Sequence, residues 1–258
     1  MARFLLVHGA WHGAWCWSRL SALLRQRGHE VQAVDLPGVG EAPERVGLVS
    51  LDDCARAIVA AAGSQPAWLV GHSLGGAAIT AAAAMRPELV QALVYVAASA
   101  PLAGETHLQA LSLGPSGRAV PHMTIDAERQ VAGLERQDRL AAFYNLCSPA
   151  VAQEAVAAGA TWQALGPAVD PLRANPPAEI ARFYVRCGRD ETIPLETQAA
   201  LCGRLALADT ATLDTDHSPF LSDPEGLAGI LDRFERGEHI SRGDGQEMPR
   251  GTNDVVSV

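Results

Sequence analysis

The chain reads as an α/β protein: a mainly parallel sheet of about six strands, covered by helices on both faces, with a helical cap inserted after the fourth strand. Three observations predict this. Short apolar runs alternate with helix-forming runs through the first hundred residues, the rhythm of βαβ units. The rhythm stops from about residue 98 to 179 and then resumes. Between two of the alternating units stands Gly71-His72-Ser73-Leu74-Gly75, preceded by an apolar run and followed by an alanine-rich one, which spells strand, sharp turn, helix.

Residues 4–7 are continuously apolar, as a strand buried on both faces must be. A loop of glycine, histidine and tryptophan follows at 8–15, then a helix over 15–27 closed by Gly28 in a C′ position. Residues 30–34 form the second strand, ended by Asp35-Leu36-Pro37-Gly38, and 38–49 read as loop. Ser50-Leu51-Asp52-Asp53 is a capping-box pattern opening a helix to Ala62. Residues 67–70 make the third strand, 76–85 a helix stopped by Arg86-Pro87, and 90–96 the fourth strand. Some eighty structureless residues are implausible in a compact domain, so 98–179 is expected to be the cap, with helical pieces around 126–145 and 149–158. Strands at 182–187 and 211–213 and helices at 194–205 and 224–236 complete the core, which is thus expected over 1–97 and 180–236. From 237 to 258 the chain is polar and aperiodic and reads as a disordered tail.

Bulk properties bound the function. The chain has 258 residues, 48% of them hydrophobic and 19% charged, a globular composition. Net charge is −9, every basic residue besides histidine is arginine, and no basic block occurs, which disfavours nucleic acid and anionic membrane as partners. Five scattered cysteines without a CxxC pattern argue against a disulfide framework or zinc site and fit a reducing, cytoplasmic setting. The apolar start breaks at His8-Gly9, too soon for a signal sequence, and no run approaches the roughly 18 apolar residues of a membrane span.

Chemistry concentrates around Ser73. A serine needs a base to take its proton, and the base needs a group to hold its tautomer. In a parallel sheet such groups sit just past the carboxyl ends of strands. Asp190 follows one late strand and His217 follows the last, and the order Ser, Asp, His is a recurrent triad order. Asp214 and Asp216 are rival acids, placed so near His217 along the chain that shaping its turn comes more easily to them. The Leu74 N–H, at a helix start, and the Ala10 N–H, in the loop after the first strand, are the expected oxyanion donors. Trp11, His12, Phe143, Trp162 and Ser218 are candidate substrate contacts, although Trp11, Trp15 and Trp17 read more readily as packing and Ser218 as a turn residue before Pro219. His12 and His72 precede the triad order and are expected to make local hydrogen bonds or line the pocket.

These residues resemble the α/β-hydrolase superfamily, and more narrowly its branch of hydroxynitrile lyases, plant methylesterases and bacterial esterase relatives. The likeness runs from Phe4 to about Phe234 and rests on Val7-His8-Gly9-Ala10-Trp11-His12-Gly13-Ala14-Trp15, Asp35-Leu36-Pro37-Gly38, the turn at Ser73, Phe143-Tyr144-Asn145-Leu146-Cys147-Ser148, and Asp190 with His217. It implies the α/β-hydrolase fold, a cap over the site, no cofactor and no metal, and hydrolysis of small carboxylic esters, with a small-molecule ester as partner and a homodimer left open. The lyases of this branch carry a lysine just after the catalytic histidine; here that residue is Ser218, in a chain without lysine. A serine esterase is therefore the leading expectation, against a binding protein that retains the triad and, behind it, a carbon–carbon lyase.

Overall fold

The computed structural model describes residues 1–115 and 122–238. The tail expected over 237–258 thus falls, from residue 239, outside the described residues.

Ten strands are present among the described residues: β1 (Arg3–Val7), β2 (Glu30–Val34), β3 (Val39–Gly40), β4 (Ala67–His72), β5 (Val90–Val96), β6 (Thr124–Asp126), β7 (Val131–Gly133), β8 (Trp162–Ala164), β9 (Ala181–Cys187) and β10 (Asp209–Leu213). Six form the main sheet in the order β10-β9-β5-β4-β1-β2, every neighbouring pair parallel. Period-two alternation sends Phe4 and Leu6 to one face and Leu5 and Val7 to the other, and all four are fully buried. On the first face the helices Ser18–Gln26 and Pro224–Glu235 bring Leu20, Leu24, Leu227 and Leu231. On the second, Leu51–Ala62, Gly75–Met85 and Leu195–Gly203 bring Ile58, Ala77 and Leu201. Gly75–Met85 is buried along residues 75–83, so its small side chains let helix and sheet approach closely.

The chain leaves β1 toward β2 on one side and returns to β4 on the other. The loops after β1 and β4 diverge and open a crevice at the carboxyl end of the sheet, where ligands of such sheets bind.

The stretch between β5 and β9 differs from the expected helical cap. It holds helices at Arg136–Phe143 and Pro149–Ala158, and also β6, β7 and β8, which with β3 make a second, antiparallel sheet in the order β3-β8-β7-β6. Likewise 38–49, read as loop, contains β3 and a helical turn, Pro43–Val46. Strands of two or three residues are too short to show alternation, and β7 is Val-Ala-Gly, of which only valine favours strands. Gly133 is required there by packing: a β-carbon would lie 2.9 Å from the Trp162 ring.

Candidate active site

Ser73 sits at the turn between β4 and the helix Gly75–Met85 with φ +52°, left-handed backbone that a non-glycine residue adopts only under constraint. The constraint is visible. The Ser73 N–H donates to the Val96 carbonyl at 3.3 Å, and the Ser73 carbonyl accepts from Gly76 and Ser99 at 3.1 and 3.2 Å. The flanking glycines serve close approach: a β-carbon on Gly71 would lie 2.6 Å from the Gly75 carbonyl oxygen, and one on Gly75 2.6 Å from that of His8.

His217 follows β10, and its Nδ1 donates to Asp190 Oδ2 at 2.7 Å, both side chains being buried. The other oxygen, Oδ1, accepts from the N–H groups of Thr192 and Ile193 at 2.7 and 2.8 Å. These bonds hold the carboxylate in place for the imidazole. The rival acids are engaged elsewhere. Asp214 is exposed and pairs with Arg189. Asp216 is buried and accepts from the Ser218 and Leu146 N–H groups at 3.1 and 2.9 Å and from the Ser222 hydroxyl at 2.8 Å, tying the His217 loop to the insertion. From the other side, His72 Nε2–H donates to the His217 carbonyl at 2.8 Å.

Ala10 and Leu74 border the same cavity as Ser73 and His217, and neither N–H has a protein acceptor among the described residues. The Ala10 N–H is oriented by His8. The Leu36 N–H donates to His8 Nε2 at 2.9 Å, so the ring hydrogen is on Nδ1, which donates to the Gly9 carbonyl at 2.8 Å. That carbonyl belongs to the peptide carrying the Ala10 N–H, so fixing one fixes the other. His12 works next door. Its Nδ1–H donates to the Ala10 carbonyl and its Nε2 accepts from Tyr144 of the insertion, at 2.8 and 2.9 Å. Burial pushes His12 down to about 3 and also lowers His8 and His72, which keeps all three neutral and their hydrogen-bond directions unambiguous.

The cavity has walls from the main sheet's loops and from the insertion. Trp11 and Phe143 line it, their rings stacked at 6.0 Å. His12, Trp162 and Ser218 do not line it. His12 is enclosed by the rings of Trp15, Tyr144 and Phe220. Trp162 covers Gly133 in the second sheet, and Ser218 is fully buried under its turn. Sequence reasoning passed over His107, Gln163 and Thr192, all of which line the cavity. For His107 a signal existed: Thr106 and Gln109 form a capping box that starts a helix just past β5. Among the described residues no cluster of three or more His, Cys, Asp or Glu side chains could hold a metal ion.

Strand order, turn and cavity together describe a known architecture, and residues 4–230 match the Alpha/beta hydrolase family. The chain belongs to the α/β-hydrolase family. It is 38% identical over 143 residues to a probable esterase, PIR7A, of Oryza sativa subsp. indica, a match spanning about half the length of that relative, 54% of each chain. It is 28% identical to methylesterase 7 of Arabidopsis thaliana over 89% of this chain and 94% of that one. Among solved structures, a pyrethroid hydrolase from Sphingobium faniae JZ-2 superposes with a TM-score of 0.77 at 23% identity, over 91% of this α/β-hydrolase and 97% of that chain.

Proposed function

We propose that this α/β-hydrolase cleaves small carboxylic esters through an acyl-enzyme, with Ser73 as nucleophile, His217 as base and Asp190 as the group that orients it. One observation carries the reading: a serine held at φ +52° on a strand–helix turn shares a cavity wall with a histidine whose far nitrogen is 2.7 Å from a buried carboxylate. Asp190 keeps the ring hydrogen on Nδ1, which leaves Nε2 bare to take the Ser73 proton as Oγ attacks the ester carbonyl. Negative charge then grows on the carbonyl oxygen, where the Ala10 and Leu74 N–H groups meet it, each worth roughly 3 kcal/mol. His217 returns the proton to the leaving alkoxide, and water repeats the sequence on the acyl-enzyme. Residues 98–179 act as the cap that gives the ester an apolar environment.

The names of the relatives, an esterase and a methylesterase, support this reading. The net charge of −9 suits a small neutral substrate better than nucleic acid, and five free thiols suit the cytoplasm. Among the described residues no helix is long and apolar enough to cross a membrane.

The test is Ser73→Ala. Turnover of a chromogenic short-chain ester should fall by a factor on the order of 10⁴ or more with the far-ultraviolet dichroism unchanged. A fluorophosphonate should label the wild type at Ser73 and at no other serine. A folded variant that keeps most of its activity, or a wild type that binds the ester without turning it over, would sink the reading, the second result in favour of a binding protein.

A further inference from the structure

The polar side chains on the cavity wall are Ser73, His107, Gln163, Thr192 and His217, in an otherwise apolar lining. Ser73 and His217 belong to the proposed chemistry. Gln163 is committed: its Oε1 accepts from the Trp11 N–H at 3.2 Å and its Nε2 donates to the Ala164 carbonyl at 3.3 Å. Thr192 is committed as well, its hydroxyl donating to the Ala142 carbonyl at 2.7 Å. His107 is different. It is 8% exposed, and its Nδ1 lies 2.6 Å from the hydroxyl of the fully buried Ser99.

That contact decides which ring nitrogen carries the hydrogen. A buried hydroxyl must place its own hydrogen on an acceptor, and among the described residues the acceptor at Ser99 Oγ is His107 Nδ1. The neutral ring therefore keeps its hydrogen on Nε2, the edge that Ser99 does not hold. Burial lowers His107 to about 4, so the ring is neutral at ordinary pH and presents one donor without a charge. Ser99 also donates its own N–H to the Ser73 carbonyl at 3.2 Å, and His107 lines the same cavity as Ser73.

We propose that His107 is a specificity residue: its Nε2–H recognises a hydrogen-bond acceptor on the substrate, so that the preferred esters are apolar molecules carrying one acceptor oxygen, such as a keto oxygen, away from the scissile carbonyl. This rests on the esterase reading and names its substrate class. The apolar walls exclude water, so an ester that buries the Nε2–H without an acceptor leaves the donor unpaired, while one that supplies an acceptor pairs it. Discrimination arises from that difference and needs no change at Ser73.

The test uses matched esters and the full chain. One arm compares phenyl hexanoate with its 3-, 4- and 5-oxo derivatives; the other compares pentyl benzoate with 4-oxopentyl benzoate. The quantity read is the ratio of kcat/KM between oxo ester and parent, in wild type and in variants, which cancels intrinsic reactivity. In His107→Leu at least one oxo ester should lose about tenfold in kcat/KM while its parent changes by less than about twofold. The arm that responds shows whether the acceptor lies on the acyl or the alcohol side. His107→Phe keeps a ring without a hydrogen donor and gives the same decision should the leucine variant not fold. His107→Gln, which keeps an N–H, should retain part of the preference. Equal changes for oxo ester and parent in both arms overturn the proposal and leave the esterase reading standing. A wild type that hydrolyses none of these esters overturns both.

Discussion

At the scale of single residues, the two buried aspartates near His217 differ in what they hold. Asp190 faces Nδ1, whereas Asp216 collects donors from the His217 loop and from the insertion. Two variants separate these roles. Asp190→Asn places an amide against the imidazole, favours the wrong tautomer and should lower kcat by about 10⁴. Asp216→Asn replaces a carboxylate that accepts from at least three groups by an amide with one acceptor, and should cost about 2 kcal/mol or more in urea unfolding with a smaller effect on turnover. If Asp216→Asn proves the more damaging to kcat, the acid has been misassigned.

At the scale of elements, local signals were readable where they are strong. The Ser50–Asp53 box is one: both reciprocal bonds are present and the helix runs Leu51–Ala62. Ser50→Ala should lower stability by about 1 kcal/mol and leave any turnover of the test ester unchanged, since Ser50 does not line the cavity. An unchanged urea midpoint would contradict the cap's contribution. The strands of the main sheet were readable for a similar reason, because runs of five to seven residues rich in apolar side chains between turn signals leave little choice. So was the placement of Ser73 and His217 on one cavity with Asp190 bonded to His217, since each follows a strand of one parallel sheet. The second sheet was not. β6, β7 and β8 are three residues each, and what makes them strands is mutual pairing across stretches far apart in the chain, Gln163 with Val39 and with Ala132. Gln163 on the cavity wall escaped for the same reason: no local pattern says which residues of an insertion face inward.

At the scale of the molecule, His8, His12, His72 and His107 are buried and neutral, each lowered chiefly by burial. An unfolded histidine takes its proton near pH 6.5. The folded ones resist until about 4 for His107 and about 3 for His12. Below pH 6.5 the unfolded chain therefore binds more protons, so this contribution to stability is full above that pH and falls on acidification, by up to about 1.4 kcal/mol per pH unit for each histidine. The urea midpoint should drop steeply between pH 7 and pH 5; a midpoint constant over that interval would show that the four rings are not held neutral. One of these rings also bears on how the molecule could have been assembled in evolution. By topology the stretch between β5 and β9 is a module, entering and leaving at neighbouring strands, and such modules invite exchange between cousins. The hydroxyl that Tyr144 lends to His12 works against exchange. A transplanted module without that hydroxyl would leave an imidazole nitrogen orphaned in a dry interior, a cost of about 1–3 kcal/mol levied beside the loop that carries Ala10. A viable chimera must therefore carry His12 and Tyr144 together or replace them together.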